Sequence, residues 1–117
     1  MAIRSAWTIR PYPNNTYRMR EFVSNGMAAI AWQGTGDLTG CDREAIRKKL
    51  RERHCRSASP QSLAQVTGIV DRFVNRIQLR DAVVVPDGDL AYFGVVVSPY
   101  EFHSDLQADN EAYPHWI

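Results

Sequence analysis

Residues 69 to 98, IVDRFVNRIQLRDAVVVPDGDLAYFGVVVS, constrain the fold more than any other stretch of the chain. Apolar residues first recur at steps of three and four, through Val70, Phe73 and Ile77, and then run together from Ala82 to Val85 and from Leu90 to Val97. The first pattern is the stripe of a helix laid on a sheet, and the second is that of strands. Between the strands, Pro86-Asp87-Gly88-Asp89 combines a preset φ, a side chain that bonds its own turn and a residue without Cβ, which makes the pair a hairpin. Both strands are too uniformly apolar to alternate, so each is expected to form a barrel wall buried on both faces. A helix, a charged corner and a hairpin in so short a chain point to a small barrel used for binding.

The flanking sequence supplies the remaining elements. Ser5 to Arg10 reads as a strand with Trp7 and Ile9 on one face, ended by Pro11-Tyr12-Pro13. Asn14, Asn15 and Thr16 can cap a short helix that runs to about Ser24 and stops at Asn25-Gly26, and Met27 to Trp32 is an apolar strand. Thr39-Gly40-Cys41-Asp42 has capping-box spacing ahead of a helix from Arg43 to His54 that turns Ile46 and Leu50 inward. Ser59-Pro60 opens the next helix, whose stripe adds Leu63 and Val66 and which Gly68 weakens locally. After Pro99 the chain is polar and acidic, a loop by composition, before Tyr113 to Ile117 begins one more strand. The expected class is α+β, with about five to six mostly antiparallel strands and three helices packed around a pseudo-barrel.

A chain of 117 residues fits one domain, 1–117, and buries enough surface to fold without a metal or disulfide staple. Cys41 and Cys55, fourteen residues apart with His54 beside the second, lack zinc-knuckle spacing and read as reduced thiols. No apolar run spans a membrane and the N-terminus lacks a signal-peptide core, so a cytoplasmic protein is expected. Charge is lopsided beneath a net +1: residues 1–56 hold eleven Lys or Arg against five Asp or Glu, and residues 57–117 hold three against eight. A half with +6 can face phosphates, unless the two halves interleave in space and the field cancels.

Catalytic chemistry is poorly represented. The glycines of Gly34-Thr35-Gly36-Asp37-Leu38-Thr39-Gly40 miss dinucleotide spacing by one residue, and no Walker lysine motif occurs. Pro86-Asp87 matches the first half of a PD-(D/E)xK nuclease motif, but no Glu-x-Lys or Asp-x-Lys follows. His54, His103 and His115 form no ligand pair and read as surface or structural histidines. No cofactor and no catalytic residue is expected in this chain.

Across most of its length the chain resembles the EVE domains of the PUA-like superfamily, which also contains the YTH readers of methylated RNA. The resemblance is carried by Trp7-Thr8-Ile9-Arg10-Pro11, Ile30-Ala31-Trp32, Gly36-Asp37-Leu38-Thr39, Arg43-Glu44, Phe73-Val74 to Asp81, Val83-Val84-Val85-Pro86 and Tyr92-Phe93-Gly94-Val95-Val96. It looks most like the EVE-like domain at the N-terminus of Mrr-type restriction endonucleases, where a nuclease domain follows on the same polypeptide. The resemblance implies a pocket for a flipped, modified base, lined from two strand ends. In this chain those positions are Trp32 and Gln33, and Ser98, Tyr100 and Phe102 beside Pro99, with Asp37 suited by type to a base edge.

A flipped base presents two apolar faces and a polar edge, so aromatic plates with a few hydrogen-bonding groups suit it. Phosphates would be tracked by Arg43, Arg47, Lys48 and Arg51 along one side of the basic helix, extended by Arg10, Arg18 and Arg20. The expected partner is therefore modified double-stranded DNA, read by a targeting module of a restriction system. Two rivals stay open: an RNA-binding PUA-like module, and an assembly domain in which Trp32 and Tyr100 belong to the core and the acidic segment from Glu101 to Glu111 meets a protein.

Overall fold

A computed structural model describes residues 5–13, 16–32, 35–53, 59–103 and 113–117. Strands β1 (Ala6–Thr8), β3 (Ala82–Asp87) and β4 (Leu90–Val95) form one sheet in the order β1-β3-β4. Strands β2 (Ala29–Ile30), β6 (His115–Trp116) and β5 (Glu101–Phe102) form a second in the order β2-β6-β5. Helices α1 (Met19–Asn25), α2 (Arg43–Arg53) and α3 (Pro60–Asp71) complete an α+β fold, and a π-helical turn over Arg72–Arg76 continues α3. Among the described residues the two sheets do not close into a barrel.

The hairpin forms where turn chemistry places it, with Asp87 opposite Leu90 and Gly88 at φ 61°. The first sheet is mixed, because β1 runs parallel to β3 with Trp7 opposite Val83. The expectation that both hairpin strands are walled in holds for β3 but fails for β4, every residue of which is exposed. The reason is position: β4 is an edge strand, and no described element packs over its outer side. The loop expected after Pro99 holds β5, because Phe102 and Glu101 find backbone partners in His115 and Trp116 of β6. Two residues are too few for a periodic signal to register.

Local rules set most boundaries. Gly26 closes α1 at φ 59°, a left-handed cap that a Cβ would disfavour. Ser59 caps α3 by accepting from the Ser62 amide, with Pro60 in the first turn. The cap of α2 is Asp42, whose Oδ1 accepts from the Ala45 amide at 2.8 Å. Thr39 instead gives both its amide and its hydroxyl to Asp37 Oδ1, at 2.9 and 2.6 Å. The capping-box spacing therefore marked the right helix through the wrong residue. At Gly68 in α3 a Cβ would stand 3.7 Å from the Arg43 guanidinium, an ordinary contact, so the position does not require glycine.

Two apolar clusters hold these parts together. One joins the sheets and α1 through Ile9, Met19, Phe22, Ala29, Phe73, Val83, Val85 and Val96. The other joins α2 to α3 through Leu38, Ile46, Leu50, Leu63 and Val70. Asp81, 3% exposed, ties the corner before β3: its Oδ2 accepts from Trp7 Nε1 at 2.8 Å and from the Gln78 amide at 2.9 Å. No helix among the described residues is long and apolar enough to cross a membrane.

Candidate functional site

Between β1, the end of β2 and the junction of α3 with its π-helical turn lies a cavity of about 540 Å³. Trp7, Tyr12 and Trp32 contribute aromatic walls, Phe73 and Ile69 the helix side, and Arg10 and Arg72 bring two cations. Each arrives for a sequence reason. Period-two alternation in β1 puts Trp7 on the inner face with Ile9, and Pro11 and Pro13 set Tyr12 beyond it. The π-helical turn inserts a residue into the helical repeat, and Arg72 and Phe73 at its start border the cavity.

Trp32 sits at φ 62°, a left-handed conformation unusual for a bulky residue and strained unless its surroundings hold it. The Trp32 carbonyl accepts from Thr35 Oγ1 at 2.8 Å and lies 3.2 Å from His115 Nε2. His115 is fully buried, with Nε2 also 3.1 Å from Thr35 Oγ1 and Nδ1 2.6 Å from the Tyr100 hydroxyl. A carbonyl only accepts, so Nε2 carries a proton, and in the neutral ring Nδ1 then accepts from Tyr100. The Tyr100 oxygen in turn accepts from the Leu38 amide at 3.1 Å. Burial pushes the Tyr100 hydroxyl up to about 12, against the pull of that amide, so near neutral pH it keeps the proton it donates.

The expected base-pocket residues are thus divided. Trp32 reaches the cavity, whereas Tyr100 and Phe102 stand against His115, with ring centroids 5.7 and 5.6 Å away, and do not line it. Ser98 borders a second cavity of about 440 Å³ beside β4. Asp37 is exposed, and its hydrogen bonds from Thr39 hold its carboxyl below the usual range. Gln33 lies outside the described residues. Trp7, Tyr12 and Arg72 had no place in the expected pocket. The alternation that puts Trp7 inward was already visible, but which helix would roof it was not.

The expected phosphate contacts also divide. Arg47 pairs with Glu44 at 2.8 Å, an exposed bridge that raises the arginine and lowers the acid. Arg18 bridges Glu21 and covers the Tyr113 ring at 4.8 Å, and Arg43 lies 3.7 Å from Asp71. Arg10 lies over the Tyr12 ring at 5.7 Å. Arg20, Lys48 and Arg51 are exposed without a described ion pair. No group of three metal-ligating side chains occurs among the described residues, and Cys41 is a free thiol; Cys55 lies outside them.

Compared with known proteins, residues 7–117 match the sequence family described as a domain of unknown function, DUF8426. No curated protein and no solved structure matches the chain.

Proposed function

The chain belongs to the DUF8426 family, and we propose that it is a non-catalytic nucleic-acid recognition domain that takes a flipped, modified base of duplex DNA into the cavity between β1, β2 and α3. One observation carries this reading: Trp7, Tyr12 and Trp32 converge on one cavity with Arg10 and Arg72. Stacking on an aromatic side chain is worth about 1 to 3 kcal/mol per base, and burying one added methyl adds about 0.8 kcal/mol. Discrimination therefore rests on the shape of the lining more than on the methyl itself. The two arginines suit the phosphates that flank an extruded nucleotide, which fix register without reading sequence. Two small sheets with helices around them are compatible with an opened PUA-like pseudo-barrel of the EVE type. On that resemblance the domain is a cytoplasmic targeting module joined to a PD-(D/E)xK nuclease.

The test is binding to short duplexes with and without one modified cytosine or adenine, at low and moderate salt. Modification-dependent binding that falls at least tenfold in Trp32→Ala is the expected result. Equal, salt-sensitive binding to every duplex would reduce the claim to a basic surface, and preference for single-stranded RNA of the same sequence would move it to an RNA-binding module. No binding at either salt would overturn it.

A further inference from the structure

Among the described residues nothing covers the β4 edge. Residues 90–97, LAYFGVVV, carry no charge and no proline, the usual devices that keep sheet edges apart. Leu90 is 64% exposed, Phe93 77%, Val95 44% and Val97 86%, on the order of 500 Å² of apolar side chain, which is the upper end of what a monomer leaves in water. The wall of the adjacent cavity, with Phe22, Met27 and Ile117, continues the apolar surface. That area falls short of the roughly 800 Å² per partner of a standard interface, so the pairing is expected to depend on concentration.

The hydrogen-bond pattern identifies the occupant. The Val96 amide donates to the Asp81 carbonyl and the Arg80 amide to the Val96 carbonyl, so even-numbered residues of β4 bond to β3. By alternation Ala91, Phe93 and Val95 turn their N–H and C=O groups outward. From these observations we infer that β4 pairs antiparallel with β4 of a second copy about a two-fold axis at Phe93, joining two three-stranded sheets into one of six.

That register is self-complementary residue by residue. Phe93 faces its own copy, an aromatic cross-strand pair on the outer face. Ala91 faces Val95 of the other chain, closing the ladder on both sides of the axis. Tyr92 lies opposite Gly94, where nothing stands within 4 Å of an added Cβ, so each tyrosine ring covers a glycine notch in the other chain. Asp89, in the turn before the strand, comes to the end of the ribbon that carries the exposed Arg80 of the second copy, so the ends match in charge. A one-residue slip loses all four matches, which is why the axis falls on Phe93.

Sedimentation and light scattering of the full chain across the micromolar range test this directly. A concentration-dependent dimer is expected, and Phe93→Lys, which sets two like charges on the axis at an exposed position, converts it to a monomer whose melting curve matches that of the unaltered chain at dilution. Cysteine crosslinking tests the register: in Phe93→Cys the paired Cα atoms lie about 5.5 Å apart, within disulfide reach, whereas Ala91→Cys places its two sulfurs beyond it. Oxidised Phe93→Cys should therefore crosslink while Ala91→Cys and the unaltered chain do not. A chain that stays monomeric throughout, a dimer that survives Phe93→Lys, or crosslinking through Ala91→Cys would each overturn the proposal.

Discussion

The backbone of Trp32 is anchored through its carbonyl, while its side chain packs on the cluster that joins α2 to α3. A tryptophan at positive φ is sustained by the hydroxyl of Thr35 and the imidazole of His115, and that imidazole is oriented in turn by Tyr100. Thr35→Val keeps the shape and removes the hydroxyl, leaving a buried carbonyl with one donor fewer. We expect a loss of about 1 to 2 kcal/mol in denaturant unfolding, and weaker base binding if the cavity is the site. Tyrosine ionisation offers a second check. Tyr100 is raised to about 12 by burial, and Tyr17 to about 12 by its 2.6 Å hydrogen bond to Asp87. A raised tyrosine is one whose protonated form the fold prefers, so its contribution to stability is complete below about pH 10 and disappears as pH climbs through about 12. Absorbance titration at alkaline pH should resolve two late tyrosines, and Asp87→Asn should return Tyr17 to the ordinary range while leaving Tyr100 late.

At the scale of elements, the corner before β3 is decided by one carboxylate. Asp81 receives the indole N–H of Trp7 and the amide of Gln78, locking β1 beside β3 and shaping the turn in which Arg80 adopts φ 76°. Asp81→Ala strips an ionised acceptor from two donors, and the chain is expected to lose about 2 to 3 kcal/mol in urea unfolding, with Asp81→Asn losing less. Much at this scale was legible in sequence, because capping, turn chemistry and helical stripes are local. Ser59-Pro60 and Asn25-Gly26 stand where they read, the hairpin turn narrows from Pro86–Asp89 to Gly88-Asp89 because Pro86 and Asp87 pair within β3, and Leu63, Val70 and Phe73 face inward as their spacing indicates. The parallel pairing of β1 with β3 was not legible, since its partners lie some 76 residues apart, Ala6 against Ala82.

For the whole molecule, what the positive half of the sequence can offer a phosphate depends on what its described cations already meet. Its arginines are divided among carboxylate partners, an aromatic ring and solvent, so Arg20, Lys48 and Arg51 are the cations best placed to release counterions on binding. Replacing Lys48 or Arg51 by alanine should lower the slope of log affinity against log salt by about one each, equally for modified and unmodified duplexes, whereas Arg47→Ala should change it less because Glu44 already balances that charge. Sequence alone specified an α+β chain with three helices and a hairpin, since these follow from spacings of a few residues. It also marked Trp32 as the residue to watch. Tertiary structure alone decided that Trp7, Tyr12 and Arg72 join Trp32 while Tyr100 turns away to His115. It alone decided that β4, apolar enough to be a core strand, lies at an edge. Both outcomes depend on which surfaces remain after distant segments have paired, and hydrophobicity read along a chain records how much a strand has to bury but not what will cover it.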